Sequence, residues 1–458
     1  MTAVKLSVAV ILTTSLTSLA AIAQGGQHLV VGYYPDWSRG TYPASAIAYQ
    51  NLTHIAHAFL FPNADGSLGG TSGFSYPDLI QQAHHSGVKV VVSLGGWGQS
   101  GGFSPMAADT AARRRFVQNV RSFCVTEGYD GVDLDWEYPA SAADRSNLTL
   151  LVRELREAFT GVPLSISMAV PAGDWTGKWF DFATMVNDID WLGIMTYDFY
   201  GSWNSTSGPN SPLYGHWSLN TQGWIDDSYA YYRVTRALPS SKILIGIPFY
   251  GWAFNAASMY GSSSGASQMA YKAIAPLLSQ GWTRYWDSEG GIPYVINATA
   301  SQVISYDDTA SIRAKCDYIL TKGIRGTIIW AIGQDYQNAQ QPLLAFLGVS
   351  LGLVSGVPSS EAPPFPASSA LLQNYPNPFN PSTVITVDVA RKASVKLIVY
   401  TATGQEVVTL MDGEYAGGRY QVPWNGKDNF GGQVASGVYF CRLTTGEYSA
   451  TTLMLLMR

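Results

Sequence analysis

Apolar residues along the chain gather in eight short runs, most of them nearly uninterrupted, near residues 29–34, 54–61, 88–94, 130–137, 164–170, 190–197, 243–249 and 326–331. Runs of this length without polar alternation are expected of parallel strands buried on both faces. Between them, stretches such as Arg113–Glu127 and Asn147–Phe159 repeat their apolar positions at helical spacing and read as amphipathic crossovers. Strands and helices in this order close most simply into a (β/α)8 barrel, an α/β fold whose chemistry lies at the carboxyl ends of the strands. Trp97, Glu137, Tyr197 and Trp330 all fall at such ends.

The pattern breaks in three places. From Gly251 to Arg325 the connection between the seventh and eighth runs is far longer than a loop with its helix, so a small inserted lobe is expected over about residues 252–302. Inside it, Gly261-Ser262-Ser263-Ser264-Gly265 has the form G-x-S-x-G, but no apolar strand leads into it as a nucleophile elbow requires, and it reads as a flexible loop. Over residues 351–370 the composition turns to Ser, Pro, Ala and Gly, which marks a linker. Beyond it, in residues 371–458, Val384–Val389, Val395–Tyr400, Glu406–Leu410 and Val438–Leu443 read as short strands of an all-β sandwich. At the other end, Met1–Ala23 carries a single lysine, a run of apolar and small residues from Leu6 to Ala20, and Ala21-Ile22-Ala23. That is the pattern of a secretory signal peptide, which leaves the barrel at residues 24–350 and a mature protein outside the cytoplasm. No other segment is expected to span a membrane.

The fourth of the eight runs holds the chemistry: Asp130–Tyr138 reads DGVDLDWEY, with Asp133, Asp135 and Glu137 spaced two apart. In an extended chain all three carboxylates share one face while Val132, Leu134 and Trp136 share the other. Carboxylates side by side repel, so at least one proton is held or shared, which raises a pKa and creates a general acid near neutral pH. A solvated edge strand would carry the same alternation. Gly131 before the run and Trp136 and Pro139 around its end fit a buried strand opening into a site. Same-face neighbours on a strand lie roughly 6.6 Å apart. Asp135 therefore reaches either neighbour and acts as a relay, while Glu137, nearest the cleft, is the proton donor.

Composition narrows the function further. A chain of 458 residues can bury one large core and a second small one. A net charge of −5 without any basic run argues against nucleic acid as a partner. Aromatic residues make up 13%, with 14 Trp and 27 Tyr, more than a core needs, and flat rings stack well on the apolar faces of sugars. Any one of these rings taken alone is better explained as core. Cys124, Cys316 and Cys441 are odd in number and widely spaced, which suits buried thiols with at most one disulfide. His54 and His57 point to opposite faces of a strand and His84-His85 has no carboxylate cluster beside it, so neither a metal nor another cofactor is expected.

Asp130, Asp133, Asp135 and Glu137 form the pattern DxxDxDxE, which resembles the signature of glycoside hydrolase family 18, the chitinases and their relatives. Tyr33, Ser93-Leu94-Gly95-Gly96-Trp97 and Met195-Thr196-Tyr197-Asp198, the last followed by Phe199–Trp203, match the same family in order, over about residues 29–345. The resemblance implies hydrolysis of β-1,4-linked N-acetylglucosamine polymers with retention. An ordinary retaining glycosidase holds a nucleophilic carboxylate about 5–5.5 Å from its acid, whereas this family uses the acetamido oxygen of the substrate itself. By resemblance Glu137 is the general acid/base, Asp135 holds the acetamido N–H and supports the oxazolinium charge, and Tyr197 bonds the carbonyl oxygen. Asp133 is then a proton reservoir held by Tyr33 and Ser93. Met195 and Asp198 line the subsite on the non-reducing side, Trp330 floors it, and Trp97, Tyr250 and Trp252 complete the substrate-binding set. Trp252 departs from the family pattern, in which arginine is common there, so a cation is lost and a stacking surface gained. An endo-β-N-acetylglucosaminidase acting on N-glycans shares the motif, and so does a chitin-binding lectin, although such lectins typically lack the terminal glutamate. Endo and exo action both remain open. In the sandwich, Leu372–Pro381 and Ala435-Ser436-Gly437-Val438-Tyr439 resemble the carboxy-terminal sorting domains of the type IX secretion system of Bacteroidetes-like bacteria, which implies that machinery as a partner of residues 371–458. A carbohydrate-binding or spacer sandwich is the alternative, with Trp424 as its only tryptophan.

Overall fold

The structure, a computed structural model, describes residues 28–215, 223–354, 369–374, 376–390, 393–415, 418–446 and 448–457. The expected signal segment Met1–Ala23 and residues 355–368 of the expected linker lie outside the described residues.

In chain order, β1 (Leu29–Pro35), β2 (His54–Pro62) with its two-residue partner β3 (Leu68–Gly69), β4 (Lys89–Gly95), β5 (Gly131–Asp135), β6 (Ser165–Val170), β7 (Trp191–Ile194) and β8 (Ile243–Pro248) come first. They are followed by β9 (Tyr250–Phe254), β10 (Ala266–Ala270), β11 (Thr283–Asp287), β12 (Ile292–Asn297), β13 (Gln302–Ser305) and then β14 (Gly326–Trp330). β1, β2, β4, β5, β6, β7, β8 and β14 pair in parallel, and β1 bonds both β2 and β14, so the sheet closes into an eight-stranded barrel.

Both faces of that sheet are dry, which is why the strands appear as continuous apolar runs. Outward-facing Val30, Ile55, Val92, Val132, Leu134, Ile166, Ile245 and Ile329 belong to one core shared with the surrounding helices, to which Phe116, Val120, Leu148 and Leu151 contribute. Inward-facing Val31, Ala56, Ala58, Val91, Trp191, Leu244 and Ile328 plug the barrel. Each such large side chain contributes roughly 1.5–3 kcal/mol when fully buried, so the scaffold has the rigidity to hold charges in its upper layer. The crossover helices carry their own signals: Thr110–Glu127 is capped by the Asp109 carboxylate accepting from Ala112 N–H and ends at Gly128 with φ 83°.

The inserted lobe runs from Tyr250 to Ser305, slightly wider than expected, as a five-stranded sheet in the order β10-β9-β13-β12-β11. One face buries Tyr250, Trp252, Phe254 and Val303 against Phe199 and Tyr200 from the loop after β7. The Gly261–Gly265 segment corrects its expectation: it is not a free loop, because Ser207 N–H donates to Gly261 O (2.8 Å) and Ser263 N–H to Ser205 O (2.8 Å). Two neighbouring loops are thereby zipped together over the lobe.

The last described region is a sandwich of β15 (Ala370–Leu371), β16 (Thr383–Val389), β17 (Ala393–Thr401), β18 (Glu406–Tyr415), β19 (Gly418–Trp424), β20 (Gly437–Thr445) and β21 (Tyr448–Leu456). Its sheets run β15-β16-β19 and β18-β17-β20-β21, and its core is separate from that of the barrel. Trp424 is 2% exposed, donates its indole N–H to Lys427 O (2.9 Å) and packs on Phe379 and Tyr439, which leaves no ring face for a sugar. Cys124, Cys316 and Cys441 are buried free thiols. Among the described residues no helix is long and apolar enough to cross a membrane.

Candidate active site

β5 turns Asp133 and Asp135 into the barrel and Val132 and Leu134 out into the helix layer, as its alternation requires. Asp133 sits level with a serine on each neighbouring strand, Ser93 on β4 and Ser167 on β6. Both serines donate to it, Ser93 Oγ at 2.9 Å and Ser167 Oγ at 2.7 Å, and the Tyr33 hydroxyl donates at 2.7 Å. Burial pushes this carboxyl upward and the three hydroxyls pull it back, leaving it raised. Asp135 lacks such a cage. It is 4% exposed, its Oδ1 is buried with no hydrogen-bond partner, and burial followed by the charges of Glu137 and Asp133 holds its pKa well above the usual range.

Glu137 corrects the sequence reading in one respect: the paired strand ends at Asp135, so Glu137 stands in the turn beyond it rather than on it. Its backbone N–H donates to Ser100 Oγ (2.9 Å), which fixes that turn. Burial raises its carboxyl to about 7, with the charge of Asp198 adding and a bond from Tyr138 opposing. The close approach of the β4 end demands glycine there, since a Cβ on Gly95, at φ 108°, would lie 2.3 Å from Asp135 O.

The expected strand over 190–197 also ends early, at Ile194, because Thr196 N–H turns back to Ile194 O (2.8 Å). Thr196 Oγ1 then clamps Gly246 on β8, donating to its carbonyl and accepting its N–H, both at 2.8 Å. Gly246 makes room for Tyr197, whose ring would lie 2.7 Å from an added Cβ. The buried Tyr197 hydroxyl is raised by burial and by the charges of Asp135, Asp198, Glu137 and Asp133, so it shares the site with all four carboxylates. Asp198 adopts φ 59°, and its Oδ1 accepts from Tyr250 Oη (2.6 Å) and Trp252 Nε1 (2.8 Å).

Trp252 is therefore a donor and not the stacking platform expected of it: at 6% exposure its ring is covered, and Trp203 stands edge-on to it at 5.4 Å. Trp330 lies over the barrel plug with Tyr33 at 5.7 Å and Phe59 stacked at 5.6 Å, and half-buried Met195 packs in the same cluster. Exposed rings ring the mouth: Trp97 at 82%, Trp37 at 66%, Trp175 at 63% and Trp203 at 59%. They follow β4, β1, β6 and β7, so all rise from the carboxyl-end face. Among the described residues no group of three or more His, Cys, Asp or Glu is placed to hold a metal ion.

The structure thus gathers Tyr33, Ser93, Asp133, Asp135, Glu137, Tyr197, Asp198, Tyr250, Trp252 and Trp330 at one end of the barrel. Sequence reasoning missed Ser167, Ser100, Tyr138 and Phe59. Ser167 was findable: aligning the expected strands by their acidic and hydroxyl positions puts Ser93, Asp133 and Ser167 in one row. Nothing local marks Ser100, whose partner lies across a loop.

Residues 29–335, two thirds of the chain, match the family model "Glycosyl hydrolases family 18", and residues 376–448 match "FlgD Ig-like domain". A "Probable endochitinase" of Caenorhabditis elegans is 33% identical over 344 residues, 66% of this chain and 55% of that protein. "Chitinase A1" of Niallia circulans is 31% identical over 290 residues, 56% of this chain and 42% of that one, so the match spans about half the length of these relatives. A solved structure of the Ostrinia furnacalis Group IV chitinase in complex with allosamidin superimposes with TM-score 0.67 at 26% identity, covering 71% of this chain and 98% of that one. On these matches, and on the closed barrel with its carboxylate row, the chain belongs to the glycosyl hydrolases of family 18.

Proposed function

We propose that this protein is a chitinase that hydrolyses β-1,4-linked N-acetylglucosamine polymers with retention, using the substrate's acetamido oxygen as nucleophile. The observation that carries the reading is Asp135: a buried carboxylate oxygen without a partner, between a caged Asp133 and a proton-bearing Glu137. An acceptor left empty in a dry site is costly unless a ligand donor fills it, and the acetamido N–H is such a donor. Glu137, protonated below about 7, gives its proton to the glycosidic oxygen as the C1–O bond breaks. The acetamido carbonyl oxygen closes on C1, and Asp135 balances the positive charge of the ring it forms while Tyr197 bonds its oxygen. Glu137, now ionised, takes a proton from the water that attacks C1 and reopens the ring, which restores both the acid and the original anomeric configuration. Asp133, with three hydroxyls on it, is the reservoir through which Asp135 adjusts its proton.

The relatives named chitinases support this substrate over an N-glycan. Product analysis of chitohexaose beside a high-mannose glycopeptide tests it. Chitooligosaccharide products with an untouched glycopeptide are expected; release of the glycan by cleavage of its chitobiose core, with chitohexaose left intact, would replace the chitinase by an endo-β-N-acetylglucosaminidase.

We further propose that residues 371–458 act as a sorting address for type IX secretion, with Met1–Ala23 as the signal for export. The buried Trp424 weighs against a sugar-binding role, and the FlgD Ig-like match is consistent with a small accessory sandwich. Because the two cores are separate, truncation at Val357 is expected to leave hydrolysis of soluble chitooligosaccharides within about two-fold of the full chain. In the native host the truncated protein should stay in the periplasm, read by fractionation. Its appearance in the medium would reject the sorting role, and a selective loss of activity on crystalline chitin would make the sandwich a binding module.

A further inference from the structure

Tyr197 is gripped on both sides by two consecutive residues that come from the far end of the same loop. On one side, Asp198 N–H donates to Asn210 Oδ1 (2.9 Å). On the other, Ser211 Oγ donates to Thr196 O (2.6 Å). Asn210 is fully buried and uses every polar group it has: Nδ2 donates to Tyr250 O (3.1 Å), its backbone N–H donates to Ser305 Oγ (2.8 Å), and its carbonyl accepts from Phe199 N–H (3.2 Å). It therefore joins the loop after β7 to β9 and β13 of the inserted lobe. Ser211 is anchored in turn by Lys315 Nζ (2.8 Å), itself paired with Asp307 at 2.7 Å in a fully buried position.

We propose that Asn210 is a positioning residue for the reaction: it holds Asp198 in its left-handed backbone conformation, so that the Asp198 carboxylate faces Glu137 while Tyr250 and Trp252 grip its other side. The proposal rests on the chitinase reading above. Asp198 at φ 59° lies in the left-handed region, which aspartate enters more readily than most non-glycine residues, so contacts to its own backbone decide whether it stays there. The Asn210 side chain is the fixing contact, because it bonds the Asp198 N–H itself. The same side chain locks the carbonyl of Tyr250, whose hydroxyl bonds Asp198 Oδ1, so one amide sets the donor and the acceptor of that bond together. The groups that face Glu137 are Asp135 on its own segment, Tyr138 beside it, Tyr197 and Asp198 on the loop after β7, and Tyr250 on β9, and beside burial its proton affinity is set by the Tyr138 bond and the Asp198 charge. Of these, Asn210 bonds Asp198 and Tyr250 directly, so its loss has a signature that a general loosening of the fold would not give.

The test is Asn210→Ala in the full chain. Kinetics on chitohexaose are expected to show kcat lower by about ten- to a hundred-fold with KM changed less than about three-fold, as for a misplaced reacting group. The carboxyl 13C titration of Glu137 should move to lower pH by about half a unit, since the negative charge that favours its protonated form has turned away. In an Asp198→Asn background, Asn210→Ala should shift that titration no further. Ser305→Ala, which removes only the acceptor of the Asn210 backbone N–H, is the milder variant and should move kcat and titration in the same direction by less. A Glu137 titration unchanged in Asn210→Ala, or unchanged in Ser305→Ala should the first variant not fold, would overturn the proposal, as would a shift that persists without the Asp198 charge. The titration needs no turnover: wild-type protein inert toward chitohexaose would remove the chitinase reading and leave the role of Asn210 to be decided by the titration.

Discussion

Glu137→Gln is expected to lower kcat on chitohexaose by about three decades, some 4 kcal/mol of transition-state stabilisation, while leaving chitin binding largely intact. The amide keeps the volume and the bond to Tyr138 but has no proton to give. The wild-type enzyme should itself lose activity as pH rises through about 7, because that is where burial places the loss of the Glu137 proton. Below that value the acid is loaded, so the direction is unambiguous: activity is retained on the acid side and falls toward alkaline pH. Since Glu137 and Asp135 interact, the limb belongs to the pair and not to one carboxyl alone. Steady-state kinetics across pH with a chitin pull-down of the variant check both halves. A variant with a tenth or more of wild-type turnover would reject Glu137 as the acid.

Lys315→Met is expected to destabilise the barrel by about 3–5 kcal/mol, the usual cost of leaving one half of a buried ion pair alone. Lys315 and Asp307 are both fully buried at their side chains, and burial pushes the lysine down and the aspartate up, each opposed by the charge of the other. Without the ammonium, Asp307 keeps only the Ser311 hydroxyl (2.7 Å). Its folded-state pKa then lies above its unfolded value, so the remaining stability is greatest at low pH and is lost as pH rises through the folded pKa. Denaturant unfolding at pH 5 and pH 8 measures this, with the larger loss expected at pH 8. Adding Asp307→Leu should recover part of it, because no charge is then stranded. A loss below about 1 kcal/mol in the single variant would mean that water reaches the pair.

What the sequence makes legible follows from where each contact is made. The barrel strands can be read because burial on both faces leaves few polar residues in them, and the Asp133-Asp135-Glu137 row can be read because alternation shows directly in one dimension. The ends of β5 and β7 are overrun because alternation of side chains continues past the last paired residue: Glu137 and Tyr197 keep the rhythm of a strand while the chain turns, Glu137 N–H bonding Ser100 and Thr196 N–H bonding Ile194. Trp252 misleads because its exposure is decided by the lobe folding over it, with Phe199 and Val303 far away in sequence. Asn210 looks like an ordinary loop asparagine until its four bonds to residues on three segments are seen. In the sandwich, β19 hides behind its initial glycine and Pro423, and β21 behind the polar Ser449–Thr452 stretch.

The central claim, that the sugar's own acetamido group supplies the nucleophile, is tested most directly by hydrolysis rates on chitohexaose and cellohexaose measured side by side at the pH of highest activity. The two oligomers share length and linkage and differ at carbon 2. Rapid cleavage of chitohexaose with no detectable cleavage of cellohexaose is the expected result. Efficient cleavage of cellohexaose would contradict the account, because a carboxylate of the protein would then have to be the nucleophile.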